Sequence, residues 1–293
     1  MILILVILLP GCSLGDVPLS IYPPTEETIV VEEVENISTV TPEEFQNYSI
    51  NREYSVVWVR KEDGLHVRKP AGISGSIVED LPWNARQIYL TDNRSLLGSS
   101  LWVEILLNGD LTGWVNAWNL TEFVSKADFC QDQRVVDLLN RFQTFIQDPR
   151  DPMIQNLISP NHGLSIRHNW YNLDVNFTGE TILNDLSDVA EINWGIMADS
   201  GLETLGSYEQ IIQPKLDDVF LDSPEIFCNE LKWGNTSGEV QWPDEFTNLN
   251  FYSFYRPALE GGNEFDWRTW AIGIEYVDNQ PFIAALIHYS SEL

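Results

Sequence analysis

Basic residues are scarce in this chain: 16 Lys and Arg stand against 44 Asp and Glu in 293 residues, a net charge of −28. A field of that sign repels nucleic acid and argues against it as a partner. Cysteine is nearly absent, with Cys12, Cys130 and Cys228 only. Neither Cys130 nor Cys228 has a Cys-x-x-Cys neighbour or a nucleophile-type setting. Beyond Leu9 no apolar run approaches the roughly 20 residues that span a bilayer. There is no Gly-x-Ser-x-Gly elbow, no His-Glu-x-x-His and no phosphate-cradling glycine loop. His162 and His168 lie six apart with no third ligand in register, so neither a metal nor a cofactor is expected.

What is present is unevenly spread. Residues 1–50 hold eight acidic and no basic side chains, residues 51–125 nine and seven, and residues 126–293 twenty-seven and nine. Hydrophobic residues make up 44% of the chain, enough for real cores. The chain opens on an apolar run, Met1 to Leu9, followed by Leu9-Pro10-Gly11-Cys12. That segment resembles a bacterial lipobox, with Pro10 where the pattern usually has Ala, Ser or Thr. The resemblance implies a signal peptide over 1–11 and lipidation of Cys12. The mature protein would then be extracytoplasmic and tethered to a bacterial membrane by a lipid anchor. Residues 12–50 read as an acidic flexible tether, from Tyr22-Pro23-Pro24-Thr25-Glu26-Glu27 and Glu32-Glu33-Val34-Glu35. As a coil it spans about 35 Å.

Residues 51–125 carry short alternating segments separated by turn residues, the pattern of a small all-β barrel. The series runs Gly64-Leu65-His66-Val67-Arg68, then Ile77 to Leu81-Pro82, Ile88-Tyr89-Leu90, Trp102-Val103-Glu104-Ile105, and Gly113-Trp114-Val115 through Leu120. In order and spacing it resembles a bacterial SH3 (SH3b) domain. It departs from that family at Arg68-Lys69-Pro70-Ala71-Gly72 and in a longer insertion from Thr91 to Ser100. The resemblance implies an SH3-like barrel that engages cell-wall peptidoglycan or peptide, or that orients a neighbouring domain. Trp102 and Trp114 read as core. Trp83 and Trp118 are candidates to stack on a wall ligand. Arg60 and Arg68, in the chain's densest basic cluster with Lys61 and Lys69, are candidates to meet its carboxylates. A solvated basic strand edge is the plainer alternative.

Residues 126–293 read as an α+β domain of unknown function with an N-terminal helix pair and a late antiparallel sheet. Val135, Leu138, Leu139, Phe142, Phe145 and Ile146 recur at helical spacing and predict a helix over 131–147. Asp151-Pro152 predicts a short second helix ending near Ser159-Pro160. Strands are expected at Leu164–His168 and Leu173–Phe177, helices at 181–189 and 207–219, and late strands at Phe251–Tyr255, Trp267–Val277 and Pro281–Tyr289. Asp278-Asn279-Gln280 supplies the last turn. The arrangement is similar to NTF2-like or cystatin-like domains. Arg268 then reads either as an anion clamp in a cone mouth or as half of a surface pair with Asp266. Alternation places Tyr252 with Phe254, opposite Phe251 and Tyr255. Tyr252 and His288 are candidates to line a ligand pocket. With Cys12 acylated, Cys130 and Cys228 either form a disulfide, which in the chain-entropy model is worth roughly 4–5 kcal/mol, or remain two buried thiols.

The SH3b family often accompanies wall hydrolases, but neither cysteine lies in the Asp-Cys-Ser-Gly context those enzymes use, and the amidase and L,D-transpeptidase patterns are missing. The expected role is therefore a membrane-anchored binding protein whose partner is cell-wall glycopeptide or an envelope protein. A wall or extracellular hydrolase with its site in the C-terminal domain is the first alternative, and a structural spacer the second.

Overall fold

The computed structural model describes residues 48–291 except 110, 180, 188–190, 198–199 and 237–239. The signal segment, Cys12 and the tether up to residue 47 lie outside the described residues. Those described belong to one compact unit. Tyr48, at the end of the expected tether, is buried. Its hydroxyl donates to the Ala117 carbonyl at 3.1 Å, and Arg94 Nη2 donates to the Tyr48 carbonyl at 2.7 Å.

The first half is all β: β1 Tyr54–Val56, β2 Gly64–Lys69, β3 Ser76–Pro82, β4 Leu90–Leu97, β5 Ser100–Leu106, β6 Thr112–Asn116 and β7 Leu120–Glu122. β2 to β6 form an antiparallel sheet in the order β3-β2-β6-β5-β4, and β1 pairs with β7. Period-2 alternation sends Leu65 and Val67 of β2, Val103 and Ile105 of β5 and Val115 of β6 into one core with Leu120. The expected insertion from Thr91 to Ser100 is mostly strand: β4 pairs with β5 along an exposed, polar edge.

The second half begins with α1 Lys126–Gln131 and α2 Gln133–Gln147. The Ser125 hydroxyl caps α1; Asp132 closes α1 with its backbone N–H on the Phe129 carbonyl and caps α2 with its carboxylate, which accepts from the Arg134 N–H. Then come β8 Leu164–Arg167, β9 Val175–Phe177, α3 Ile182–Ser187, the hairpin β10 Ile192–Ile196 and β11 Glu203–Gly206, α4 Tyr208–Ile211, α5 Gln213–Phe220, β12 Glu225–Cys228, β13 Asn250–Arg256, β14 Arg268–Val277 and β15 Gln280–Ser290. The main sheet has six strands in the order β12-β13-β14-β15-β8-β9. Its helical face carries Tyr252, Phe254, Trp270, Ile272 and Leu286, packed on α2 and α5. Its other face carries Phe251, Ala271, Ile287 and Tyr289 and packs on Trp242, Phe246, Trp267 and the Val57-Trp58 corner of the first half. Cys130 of α1 and Cys228 of β12 are joined by a disulfide.

This architecture overturns the expected fold class. The chain is mostly β, 39% strand to 21% helix, with five helices among the described residues, and the expected N-terminal helix pair is not among them. Of the expected second helix there is one 3-10 turn, Pro152–Asn156, with Pro152 at its start. Beyond it the backbone joins the sheet instead: Ile283 N–H donates to the Leu157 carbonyl at 2.8 Å, and Ser159 N–H to the Ile283 carbonyl at 2.9 Å. Nor is the late sheet purely antiparallel, because β8 runs parallel to β15. The helix expected over 207–219 is two helices, with Pro214 in the first turn of the second.

A buried polar cluster joins the two halves. Glu275 of β14 accepts from the Ser159 hydroxyl and from His162 Nδ1, the latter at 2.5 Å. His162 Nε2 donates to the Trp118 carbonyl of the first half at 2.7 Å. Both ring nitrogens thus face acceptors, the geometry of an imidazolium donating twice. The ring stacks on Trp58 at 4.1 Å and meets the edge of Trp118 at 4.8 Å. Trp58 has a φ of 55°, the left-handed region that costs a bulky residue about 1–3 kcal/mol. Its N–H donates to the Glu245 carbonyl at 2.9 Å, which holds it there. Nearby, Asn248 Nδ2 donates to the Val56 and Ala85 carbonyls, and its Oδ1 accepts from Arg86 Nε at 2.7 Å.

Removing either member of the buried pair leaves the other uncompensated. His162→Ala and Glu275→Ala are each expected to lower unfolding free energy by about 3–5 kcal/mol. The double variant should cost less than the sum, by at least about 1 kcal/mol. Urea melts of the four proteins measure this, and strictly additive losses would show that the two side chains do not act as a pair.

Candidate functional site

Two histidines and a lysine whose charged forms are disfavoured by burial gather on the helical face of the main sheet, near the start of β14. Register brings them there. Arg256 at the end of β13 lies opposite Arg268 at the start of β14, which lies opposite Ser290. One step in, Phe254, Trp270 and His288 form the next row. α5 closes over this corner because Leu216, Val219 and Phe220 bury against the sheet. The Trp270 indole donates to the Lys215 carbonyl at 2.9 Å, which fixes the first turn of α5 above the row. His168, just past β8, accepts at its carbonyl from His288 Nδ1 at 3.1 Å.

Two carboxylates partly compensate the cations. Arg256 Nη2 is 3.1 Å from Asp218 Oδ2 and 3.7 Å from Asp266 Oδ1. Arg268 Nη2 is 3.0 Å from Asp266 Oδ1, and its Nε is 3.8 Å from Asp218 Oδ2. Burial, then the charge of Arg268, pushes the Lys215 ammonium down to about 8 from 10.5, with Asp218 opposing. Burial, then Lys215, lowers His168 to about 4. His288 is fully buried, and burial, then Lys215, holds it far below the ordinary imidazole range. Both histidines are therefore neutral at pH 7. Because His288 Nδ1 carries the proton given to His168, its Nε2 carries a lone pair, and that atom has no partner. His168 Nδ1 is likewise buried without a partner.

Of the residues singled out from sequence, Arg268 and His288 come together here. Tyr252 shares their face but lies two rows along from Arg256, packed on Phe129 at 5.3 Å, and does not join them. Trp118 turns its ring toward Trp58 and His162 in the junction. Trp83 packs against the first-half core with Lys61 Nζ 5.8 Å above its ring. Arg68 Nη1 donates to the Gly75 carbonyl at 2.8 Å and braces its own loop. Arg60 is exposed and lines a groove of about 540 Å³ with Trp58, His66 and Asp80. Lys215 escaped the sequence reading, and His168 was weighed there only as a metal ligand. No local motif marks either one, since the register of β8 on β15 and the seating of α5 create their neighbourhood.

Ser159, His162 and Glu275 have the residue types of a hydrolytic triad but not its wiring. The serine proton points at the carboxylate and the imidazole is occupied at both nitrogens, so no base activates the hydroxyl. The neutral imidazoles and cations beside β14 can accept a hydrogen bond and hold an anion. Comparison with protein-family models, with curated proteins and with solved structures returns no significant match.

Both histidines bind protons less tightly in the folded chain than in the unfolded one. Between about pH 4 and 6.5 the unfolded state takes up more protons, so stability is fully present above 6.5 and is lost as pH falls toward 4. His288→Phe, which retains a ring beside Trp270, should show a shallower fall. Thermal melts of both proteins across this window test it, and parallel curves would contradict the assignment.

Proposed function

We propose that the chain is a membrane-anchored extracytoplasmic binding protein in which the first β half is a fixed bracket presenting the main sheet to its ligand. The observation that carries this reading is the buried Glu275–His162–Trp118 junction. A wall-binding module on a mobile arm has no need of a charged pair sealed between it and its neighbour, whereas a bracket has. Trp118, an aromatic candidate for stacking on wall sugars, sets its ring edge-on to His162 in this junction and is otherwise exposed. The Cys130–Cys228 bridge fits an oxidising compartment, as the lipobox resemblance implies. The SH3b resemblance supplies the second role of that family, orienting a neighbour. An envelope protein is then the partner class of the assembled molecule, and cell-wall glycopeptide is the alternative that binding to sacculi would favour.

Expressed in a bacterium with lipoprotein-processing enzymes, the full chain should fractionate with membranes and carry diacylglycerol on Cys12. Cys12→Ala should release it from the membrane fraction. An unmodified Cys12, or a variant that fractionates unchanged, would sink the anchoring part. The detergent-solubilised full chain should not pellet with purified sacculi. Pelleting that is lost in Arg60→Ala would replace the bracket with direct wall binding through the Arg60 groove.

A further inference from the structure

The main sheet ends at β9 with an open edge. β9 is the last strand in the order, bonded to β8, and among the described residues no other hydrogen bond reaches its backbone. In an antiparallel pair alternate residues turn N–H and C=O away from the partner, so β9 offers such groups outward. Beside it stands β10, whose strand partner is β11 on its other side. The two neighbouring edges are tied by side chains. The Phe177 and Trp194 rings lie 6.2 Å apart, and Asn172 Oδ1 accepts from the Ile196 N–H at 3.1 Å. Gly195 admits that amide, since a Cβ there would lie 2.4 Å from Asn172 Cγ.

A groove of about 500 Å³ runs between these edges, lined by Leu173 and Val175 on one bank and by Asn193, Gly195 and Ile196 on the other. That size is ordinary for a ligand cleft. Leu173 is 71% exposed and Ile196 49%. Large apolar side chains in the open beside an unpaired strand edge are what soluble proteins usually cover or blunt.

An extended peptide meets both features. Its backbone takes up the free groups of β9, and the alternate side chains that it turns inward cover Leu173 and Ile196. Charge selects which peptide. Residues 168–214, which build both banks, hold eight Asp and Glu and no Lys or Arg. Arg167 meets Asp174 and Arg150 meets Glu209 from outside that stretch, and the field over the groove stays negative. The chain's own N-terminal 50 residues, with eight acidic and no basic side chains, are repelled by it, and so is a second copy carrying −28. We propose that the groove between β9 and β10 binds an extended apolar segment of a cationic envelope protein. The segment adds a strand to the open end of the six-stranded sheet and sets its lysines or arginines against the acidic surroundings.

The proposal rests on the reading of the main sheet as the ligand-bearing part and of an envelope protein as partner. The detergent-solubilised full chain is titrated at low salt with a short fluorescent peptide alternating valine and lysine, followed by anisotropy. One control peptide carries glutamate in place of lysine. Another is the valine–lysine peptide N-methylated at alternate residues, which removes the donors of a strand ladder. The valine–lysine peptide should bind at least about tenfold tighter than either control. Leu173→Ser combined with Ile196→Ser, both at exposed positions, should weaken it by at least about tenfold. Should that variant lose its near-ultraviolet circular dichroism, the contrast among the three peptides on the unaltered chain decides alone.

Equal binding of the glutamate peptide would overturn the cationic partner, and equal binding of the N-methylated peptide would overturn strand addition. Valine–lysine binding untouched by the double substitution would mean that the peptide sits on acidic chain elsewhere, and the groove would be dropped. A dimer in sedimentation velocity that the double substitution dissolves would give the groove to a second copy and refute the proposal. Binding of none of the three peptides would remove the docking site and leave the anchored bracket to its fractionation test. An unmodified Cys12 would sink the anchor and leave peptide binding at the groove standing.

Discussion

Glu275 is the point on which the two halves of the molecule are hung. It sits toward the hairpin end of the longest strand pair, on the face away from the helices, and its two oxygens are taken by Ser159 and His162. Through His162 it reaches the backbone of the first half at Trp118. A buried carboxylate is stable only when its lone pairs are met, so the loop from Ser159 to His162 has one acceptable position and the first half has one acceptable docking. Hydrophobic contact alone would hold Val57 and Trp58 against the sheet, but it is non-directional and would tolerate sliding. Next to Glu275, Gly273 keeps the surface low: a Cβ there would lie 3.1 Å from Ala285 and 3.4 Å from Trp242.

The scarcity of basic residues takes on meaning in this light. Several of the few arginines join segments far apart in the chain. Arg86 reaches Asn248, Arg94 reaches the Tyr48 carbonyl, and Arg134 reaches the Asn279 carbonyl. Arg167, nearly buried, bonds Asp174 and Glu245 and lies 5.0 Å over the Phe246 ring. The guanidinium suits this work because its fork donates in several directions from one plane. The acidic excess is left on the surface, where it supports solubility, while the cations organise junctions.

Much of this was legible in the sequence where one local period governs a segment. The 3–4 spacing of Val135 to Ile146 is the buried stripe of α2, and Asp278-Asn279 forms the last hairpin turn with positive φ at both residues. Legibility failed where tertiary pairing decides. β4 reads as a polar insertion because Thr91 to Ser95 are polar and Leu96 and Leu97 lie exposed on a sheet edge, so no alternation marks it. β12 carries an exposed Ile226 and is a strand only because β13 lies beside it. The candidate site was half visible, as Arg268 and His288. The other half depends on a bulge: between Gly273 and Ile274 of β14 the partner strand advances from Ala285 to Ile283, so Ala284 is extra. Simple alternation from Ile283 would send His288 to the face opposite. The extra residue turns it to the helical side with Leu286, and no period in the sequence announces that step.

The same backbone couples the two faces. Arg167 and His168 are consecutive, and an extended chain sends consecutive side chains to opposite sides. Arg167 is tied into the junction by Glu245, the residue whose carbonyl also holds Trp58. His168 offers the carbonyl that fixes which nitrogen of His288 carries its proton. The position of that carbonyl is therefore set by the ion pairs on the far side of the sheet. A neutral imidazole with an undefined tautomer is either donor or acceptor, whereas one held by a carbonyl is an acceptor only. The bracket thus does more than carry the sheet: by pinning the end of β8 it determines the hydrogen-bonding character of the buried ring on the other face.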